Sequence, residues 1–363
     1  MNDDAHMSHA LALAARGLGR TWPNPAVGCV LVNEGRIVGR GWTQPTGRPH
    51  AERMALDQAG PAARGATAYV TLEPCAHHGK TPPCAEALIA AGIVRVVSAH
   101  IDPDPRVAGK GHAMLRAVGI AVTEGIHEFR ARALQAGFLK RVTRGLPFTT
   151  LKLAATLDGR IATATGESRW ITGPAARRAV HAMRLTHDAV LTSSATAIAD
   201  NPDLTARDIG ATHQPLRILL DAQLRYSPLN RLGQTAAQSP VWVLHTATAT
   251  APANARAAWH TTGARLIETP ATGPHLNLTE AFRTLASEGL TRILIEAGGS
   301  LAAALIRANL IDELALFTAG ALIGSEGTPV LGPLGLTALA NAPRPILIAQ
   351  ETHGQDILTR WRF

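Results

Sequence analysis

The sequence predicts an α/β protein of two domains, residues 1–145 and 146–363. The length of 363 residues exceeds what one compact core normally holds. Strand-like and helix-like patterns alternate along both halves, which is typical of sheets covered by helices. The segment RVTRGLPF at 141–148 carries the Gly and Pro of a junction between the halves. We therefore expect one α/β domain on each side of this segment.

The first half opens with an amphipathic helical pattern at 5–17. The stretch 26–42 then reads as two strands about a turn at Glu34 and Gly35. Helical and strand patterns follow in alternation, with helices predicted at 51–60, 85–92 and 130–140 and strands at 66–73 and 95–101.

The second half is richer in strands. Apolar segments predict them at 149–155, 188–194, 216–221, 241–245, 264–269, 292–298 and 313–322. Helical patterns or loops rich in Pro, Gly and Ala separate most of them. The low-complexity stretch 246–258 predicts a surface connection.

The composition limits the kinds of binding partner that we expect for this protein. The formal charge of +8 fits either a solvated basic surface or small phosphate-bearing ligands. No Lys/Arg block occurs and aromatic residues are only 4%, so no nucleic acid is expected. No apolar run reaches the roughly 18–20 residues of a membrane span, so no membrane partner is expected. Without a signal-peptide pattern we expect a cytoplasmic protein with reduced cysteines, and a homo-oligomer is compatible with the sequence.

Two motifs in the first half carry metal chemistry: His50-Ala51-Glu52 and PCAHHGKTPPC at 74–84. One imidazole and two thiolates, from Cys75 and Cys84, supply three ligands for a tetrahedral zinc and leave the fourth position for water. Zinc lowers the pKa of such a water towards ~7, and a free carboxyl such as Glu52 can carry the proton to departing ammonia. Each piece alone reads equally well as a helix cap or a core thiol, and Cys29 in VGCVLV keeps the core reading.

The segment between the cysteines contains Gly79-Lys80-Thr81 but lacks the preceding glycine pattern of a phosphate-binding loop of the Walker type. A lysine cation and a threonine hydroxyl beside the metal site can nevertheless hold a phosphate.

The motifs PNPAVGCV (23–30), HAE (50–52), TLEPCAHHGKTPPC (71–84) and DPDPRVAGKG (102–111) together resemble the deaminase domain of the bifunctional riboflavin-biosynthesis deaminase–reductase family. The resemblance implies a cytidine-deaminase-like α/β/α domain with a mixed sheet. It makes His50, Cys75 and Cys84 zinc ligands and Glu52 the proton donor. The resemblance also implies that the diaminopyrimidinone and its ribose phosphate are contacted by Asn24, His77, Lys80, Thr81 and Asp102. Asp104 stands where the family often has Asn and would repel a phosphate, so it is not among the predicted contacts.

In the second half, EAGGSLAAAL (296–305) runs from a strand through two glycines into a helix. Free N–H groups at such a helix start favour phosphate, although an ordinary strand-to-helix turn explains the pattern equally well. Together with LKLAATLDGRIA (151–162), GESRWIT (166–172) and LTSSATAIADNPDLTAR (191–207), it resembles the reductase domain of the same family. That domain has a dihydrofolate-reductase-like α/β fold and uses NADPH.

The reductase resemblance implies two sets of contacts. The first set contacts the cofactor and consists of Ala154, Trp170, Thr196, Asp200, Gly298, Gly299, Ser300 and Leu301. Substrate contacts fall to Ser168, Arg184, Leu204, Arg207 and Glu296, where the two arginines suit a phosphate. Lys152 with Asp200 is the candidate acid/base pair for opening the sugar ring. The alternatives are a strand lysine with its amine in solvent and a turn or capping role for the aspartate.

The sequence thus predicts two consecutive steps of riboflavin synthesis. The first is zinc-dependent hydrolytic deamination of 2,5-diamino-6-(5-phosphoribosylamino)pyrimidin-4(3H)-one. The second is NADPH-dependent reduction of the ribosyl to the ribityl side chain. One alternative is a zinc-dependent nucleic-acid base deaminase with an appended nucleotide-binding domain. Another is a regulatory protein with a structural zinc, against which the free acid Glu52 argues.

Overall fold

The computed structural model describes residues 2–78, 82–105, 108–247 and 254–363. The chain divides into two compact units, Met1–Leu146 and Pro147–Phe363. Each unit has its own sheet, covering helices and hydrophobic core. In the part of the chain that is described, no helix combines the length and the apolar composition needed to cross a membrane.

The first unit is built on a five-stranded sheet with the order β2-β1-β3-β4-β5. Strands β1, β2 and β3 pair antiparallel, whereas β3, β4 and β5 run parallel. Its strands are β1 Gly28–Asn33, β2 Arg36–Trp42, β3 Thr67–Val70, β4 Arg95–Ser98 and β5 Ala121–Glu124. Its helices are α1 Asp3–Ala15, α2 Ala51–Ala59, α3 Cys84–Ala90, α4 Lys110–Ala117, α5 Glu128–Leu134 and α6 Ala136–Arg144.

Apolar residues cover both faces of this sheet, because alternate residues of a strand point to opposite sides. Cys29 and Leu31 belong to one core with residues of α2, α3 and α4. Val30 and Val32 belong to the core on the other face, with residues of α1 and α5. The unit is therefore a three-layer α/β/α arrangement with a mixed sheet, and the prediction of Cys29 as a core thiol is confirmed.

Two glycines of β2 let helix α2 lie directly on the sheet. A Cβ on Gly41 would stand 2.1 Å from the Ala51 carbonyl oxygen, and one on Gly39 would stand 2.2 Å from that of Ala55. Any side chain there would push the helix outward. This contact fixes the start of α2, where His50 and Glu52 lie.

The second unit is built on a nine-stranded sheet with the order β11-β10-β9-β8-β14-β6-β15-β18-β17. Neighbours from β11 to β15 run parallel, and β18 and β17 add antiparallel at the edge. Its strands are β6 Phe148–Thr156, β7 Arg160–Ala162, β8 Ala189–Ser193, β9 Leu216–Leu220, β10 Val241–His245, β11 Arg265–Glu268, β12 Ala271–Thr272, β13 His275–Leu276, β14 Arg292–Glu296, β15 Glu313–Ala319, β16 Thr328–Pro329, β17 Ile346–His353 and β18 Asp356–Arg362. Its helices are α7 Pro174–Leu185, α8 Ser194–Asp200, α9 Arg231–Gln234, α10 Ala255–Thr261, α11 Leu278–Ser287 and α12 Gly299–Arg307.

The edge strand β17 exposes apolar side chains on both of its faces. Ile346 is 72% exposed, Leu347 47% and Ile348 38%. An apolar edge strand normally carries a cover or a charge that blocks further pairing.

The structure departs from the predicted elements at several points along the chain. The single helix expected at 130–140 is two helices that meet at Gln135, whose buried side chain bonds to His100 and to the Ala26 carbonyl oxygen. Helix α10 begins at Ala255, inside the connection expected at 246–258, while residues 248–253 lie outside the described chain. Helix α4, strand β5 and the β17–β18 hairpin had no counterpart in the prediction.

Candidate active sites

A histidine and two cysteines meet in the first unit where one strand ends and two helices begin. His50 precedes α2 in extended conformation, Cys75 follows β3, and Cys84 is the first residue of α3. The His50 Nδ1 lies 3.3 Å from the Cys84 Sγ and 3.7 Å from the Cys75 Sγ. One ligand atom of each residue lies within 4.8 Å of the others. The sequence prediction that these three residues come together is confirmed.

This geometry fits zinc. Tetrahedral coordination at usual bond lengths separates a nitrogen and a sulfur ligand by about 3.5 Å, and the two observed separations lie on either side of that value. A hydrogen bond from the Cys84 thiol lowers the pKa of Cys75 to about 4, against the opposing effect of burial. The Cys84 backbone N–H also donates to the Cys75 sulfur, at 3.3 Å. Cys75 is therefore readily a thiolate, the form that binds metal.

Glu52 lies in the first turn of α2 and is only 4% exposed. Burial raises the pKa of its carboxyl group, and a hydrogen bond with Cys84 acts in the opposite direction. A carboxyl in such a position is held beside the ligand cluster and is able to carry a proton.

The structure describes three of the other predicted contacts of the first unit. The Asn24 side chain packs on Gly47, and its Nδ2 is 3.4 Å from the Thr46 carbonyl oxygen. The buried Nδ1 of His77 has no hydrogen-bond partner among the described residues. Asp102 is buried, and its Oδ1 accepts the Asp104 N–H at 2.9 Å. Lys80 and Thr81 lie outside the described residues.

Sequence reasoning missed Glu73, which stands two residues before Cys75. It is 3% exposed, and its carboxylate accepts backbone N–H groups from a segment 29 to 39 residues further along the chain. Its partners are backbone groups distant in sequence, so no side-chain pattern pointed to it.

In the second unit, Lys152 and Glu296 are register partners on the parallel strands β6 and β14, so their side chains share one face of the sheet. Burial lowers the pKa of Lys152, against the raising effect of Glu296. The Lys152 side chain is half-buried beside charged neighbours, which argues against the alternative of an amine in solvent.

Arg184 of helix α7 holds Glu296. Its Nε donates to Oε1 at 2.6 Å and one terminal nitrogen donates to Oε2 at 2.8 Å, while the other donates to the Thr205 carbonyl oxygen at 2.6 Å. Burial alone would raise the pKa of Glu296, but Arg184 outweighs it and holds the pKa at about 2. Three of the five N–H groups of Arg184 are thus engaged within the protein, and its contact with a phosphate stays a prediction.

Helix α8 and the glycine turn before α12 are joined by Thr196. Its hydroxyl accepts the Gly298 N–H at 3.0 Å and lies 3.1 Å from the Ser193 hydroxyl. Asp200 ends α8, and its carbonyl oxygen accepts Arg169. Gly299 starts α12, which confirms the strand-turn-helix pattern of 296–305. Of the remaining predicted residues here, Ser300 is exposed and Leu301 is partly exposed.

Three other predicted residues of this unit lie on strand β6 and in the loop before helix α7. Ala154 lies on β6, and Ser168 lies in the loop before Trp170. Trp170 is 70% exposed, with the Arg177 guanidinium 4.5 Å from its ring centre. It lines a cleft of about 610 Å³ between the start of α7 and the turn of the β17–β18 hairpin.

Leu204 and Arg207 lie in the segment after α8. The Leu204 side chain is buried in the core and its backbone has a φ of 57°, so only its backbone is free to face a ligand. Arg207 is exposed, and its guanidinium bonds to the Asp203 carboxylate at 3.0 Å.

Both units resemble known protein families. The family model for the cytidine and deoxycytidylate deaminase zinc-binding region matches residues 1–100, and the RibD C-terminal domain matches residues 147–359. The riboflavin biosynthesis protein RibD of Escherichia coli K12 is 46% identical over 356 residues, covering 95% of each chain. That of Haemophilus influenzae is 45% identical over 98% of this chain and 96% of its own.

Solved structures show the same agreement. RibD of Acinetobacter baumannii superposes with a TM-score of 0.88 at 39% identity, covering 99% of this chain and 98% of the other. A deaminase–reductase from Thermotoga maritima gives a TM-score of 0.87 at 34% identity, with the same coverage.

A zinc-binding deaminase unit followed by a reductase unit defines a bifunctional enzyme that uses zinc for deamination and NADPH for reduction. Both predicted fold classes, the cytidine-deaminase-like first domain and the reductase-type second domain, are confirmed. The chain belongs to the RibD family of bifunctional riboflavin biosynthesis proteins. It acts on small molecules in that pathway as deaminase and reductase.

Proposed function

We propose that the first unit deaminates 2,5-diamino-6-(5-phosphoribosylamino)pyrimidin-4(3H)-one and that the second reduces the ribosyl side chain of the product to ribityl. The Thermotoga maritima relative is described as a diaminohydroxyphosphoribosylaminopyrimidine deaminase and 5-amino-6-(5-phosphoribosylamino)uracil reductase. The observation that carries the proposal is the presence, in one chain, of a His/Cys/Cys cluster beside a buried glutamate and of the Lys152–Glu296–Arg184 charge cluster.

In the deaminase unit, His50, Cys75 and Cys84 would hold the zinc. The ion supplies Lewis acidity that makes water a nucleophile near neutral pH. Glu52 would accept a proton from the attacking water and deliver it to the amino group, so that the carbon–nitrogen bond breaks and ammonia leaves. Its place in the first turn of α2, two residues after His50 and shielded from solvent, supports this role.

Among the described residues, substrate contacts in this unit would come from His77, Asn24 and Asp102. His77 offers a buried ring nitrogen without a partner among the described residues. Asn24 and Asp102 offer an amide and a carboxylate that suit the donors and acceptors of a diaminopyrimidinone ring. Lys80 and Thr81 remain the proposed phosphate contacts on the chemistry of their side chains.

In the reductase unit, NADPH supplies the hydride when bound. Lys152 with Asp200 would move the proton that opens the ribose ring and the proton that the reduced product requires. Glu296, kept ionised by Arg184, would accept hydrogen bonds from ribosyl hydroxyls. Ser168, the Leu204 backbone and Arg207 would complete the substrate contacts, with the exposed Arg207 guanidinium facing the phosphate.

The cofactor would lie along the edge where β6, β8 and β14 end. Thr196 braces the turn at Gly298 and Gly299, and this support favours a phosphate held by the first N–H groups of α12. The remaining proposed contacts with the nicotinamide and its riboses come from Ala154, Trp170, Asp200, Ser300 and Leu301.

We further propose a homo-oligomer in the cytoplasm that binds no nucleic acid. The exposed apolar strand β17 supports self-association, since pairing between copies would cover it. All three cysteines are free thiols, which fits a reducing compartment. Light scattering of the zinc-loaded protein should give at least a dimer mass, and Ile346→Asp should reduce it to that of a monomer. An unchanged mass in the variant would contradict the role of β17.

The function is tested by giving zinc-loaded enzyme the phosphorylated diaminopyrimidinone and following ammonia release, then NADPH oxidation. Both signals in that order are expected. Ammonia release alone would refute the reductase assignment. Deamination of oligonucleotides, with no ammonia from the pyrimidinone, would overturn the proposal in favour of a nucleic-acid base deaminase.

A further inference from the structure

A single buried carboxylate joins the zinc-ligand segment to the segment that carries Asp102. Glu73 lies between β3 and Cys75 and is 3% exposed. Its Oε2 accepts the N–H of Asp102 at 3.2 Å and of Gly109 at 2.9 Å. Its Oε1 accepts the N–H of Gly111 at 2.9 Å and of His112 at 3.3 Å. The four donors occupy all the acceptor sites that a carboxylate offers.

Two of these donors belong to the first turn of helix α4. Helix starts leave their first N–H groups without partners, and a side-chain oxygen normally caps them. The residue before α4 is Gly109, which has no side chain to do so. Glu73 therefore caps this helix from a distant part of the sequence, and its negative charge suits the positive end of the helix dipole.

The segment is also packed hard against the residue that follows Glu73. A Cβ on Gly111 would lie 1.9 Å from the Pro74 carbonyl oxygen. Pro74 directly precedes the zinc ligand Cys75. The backbone at Asp102 and at 109–112 is thus tied to the chain just before the metal site.

We infer that Glu73 is a positioning residue of the deaminase, which fixes the distance between the zinc ligands and the Asp102 carboxylate. This inference rests on the proposed contact of Asp102 with substrate. Glu73 has no role in proton transfer, because all of its acceptor sites are occupied by backbone groups of the protein.

The test is Glu73→Gln, which keeps the shape but turns one acceptor oxygen into a donor facing two N–H groups. The KM for deamination should rise about tenfold while kcat stays within about threefold, the pattern of lost binding rather than lost chemistry. Zinc content and reduction of separately supplied deaminated substrate should not change. Glu128→Gln, the same change at a 49% exposed carboxylate paired with Arg132, should leave all four quantities unchanged.

Asp102→Asn and the double variant complete the experiment. If Glu73 acts through Asp102, the double variant should have about the same KM as Asp102→Asn alone. If the KM increases of the two single variants multiply in the double variant, the two residues act independently and the inference is overturned. A normal KM in Glu73→Gln, with Asp102→Asn impaired, would refute the inference only. A normal KM in Asp102→Asn would refute the proposed contact and the route through it.

Glu73→Asp is a second variant that keeps the test decisive if Glu73→Gln does not fold. The shorter carboxylate keeps an acceptor for the start of α4 but cannot reach the Asp102 N–H as well. An intermediate KM is therefore expected, with full zinc content. Loss of zinc from both Glu73 variants would show that the residue supports the metal site itself, and would overturn the inference.

Discussion

Replacing Arg184 by methionine should destabilise the second unit strongly, because it leaves the Glu296 carboxylate without its partner. The two side chains are only 10% and 14% exposed. Arg184 is the largest influence that lowers the pKa of Glu296, from 4.5 in an unfolded chain to about 2. A shift of this size corresponds to about 3 kcal/mol, which agrees with the roughly 3–5 kcal/mol lost when one partner of a buried pair is removed.

The expected change in thermal unfolding follows from this free energy. For a unit of this size, about 3 kcal/mol lowers the Tm by roughly 6–12 °C. Because folding depresses the pKa of Glu296, the stabilisation is complete above the unfolded pKa of 4.5 and disappears as the pH falls towards 2. The difference between wild type and Arg184→Met should therefore be full at neutral pH and shrink as the pH falls towards 2.

Scanning calorimetry measures this difference, and the transition of the second unit is identified by its upward shift on adding NADPH. Arg178→Met, at an exposed position on the same helix, is the matched control and should unfold with the wild type. Adding Glu296→Gln to Arg184→Met should recover part of the lost Tm, because the buried carboxylate that lost Arg184 is then neutral, although Lys152 also loses its carboxylate neighbour. If Arg184→Met unfolds at the wild-type temperature at neutral pH, the Arg184–Glu296 pair does not stabilise the unit.

Three other predictions concern the two sites. Glu52→Gln should lower the deamination rate by at least about 10²-fold while zinc content and reduction stay normal; a parallel loss of zinc would make the residue structural. Cys84→Ser should lose zinc, measured by elemental analysis, whereas Cys29→Ala should keep it, because Cys29 lies in the core; equal retention in both would remove Cys84 from the ligand set. Lys152→Met should lower kcat for NADPH oxidation and leave ammonia release unchanged, and a normal kcat would exclude it as the acid/base.

The metal cluster was predictable because its signals are local. His50, Cys75 and Cys84 stand at a helix start or a strand end, where side chains of rare ligand types converge whatever the distant packing. The same holds for the strand, glycine turn and helix around Gly298. The alternation of strands and helices likewise gave the α/β class of both units, which depends on patterns within short windows.

Partnerships across the fold were not predictable. Arg184 pairs with a residue 112 positions away, and residue type alone indicated a phosphate as readily as a carboxylate. Glu73 acts through backbone groups, which leave no trace in side-chain patterns.

The β17–β18 hairpin was missed although its turn, His353-Gly354-Gln355-Asp356, carries a glycine between strand-forming runs. That was a usable signal.

The glycines of β2 have a consequence for any saturation mutagenesis of this enzyme. The atoms nearest to a Cβ on Gly39 or Gly41 belong to residues of α2 that bind no zinc, yet every substitution there must lift the helix whose start carries His50 and Glu52. A growth-based screen will therefore rank both positions with the catalytic residues, although they perform no chemistry. Metal retention would tell the two kinds of position apart: a displaced helix releases zinc together with activity, whereas a damaged proton carrier loses activity alone.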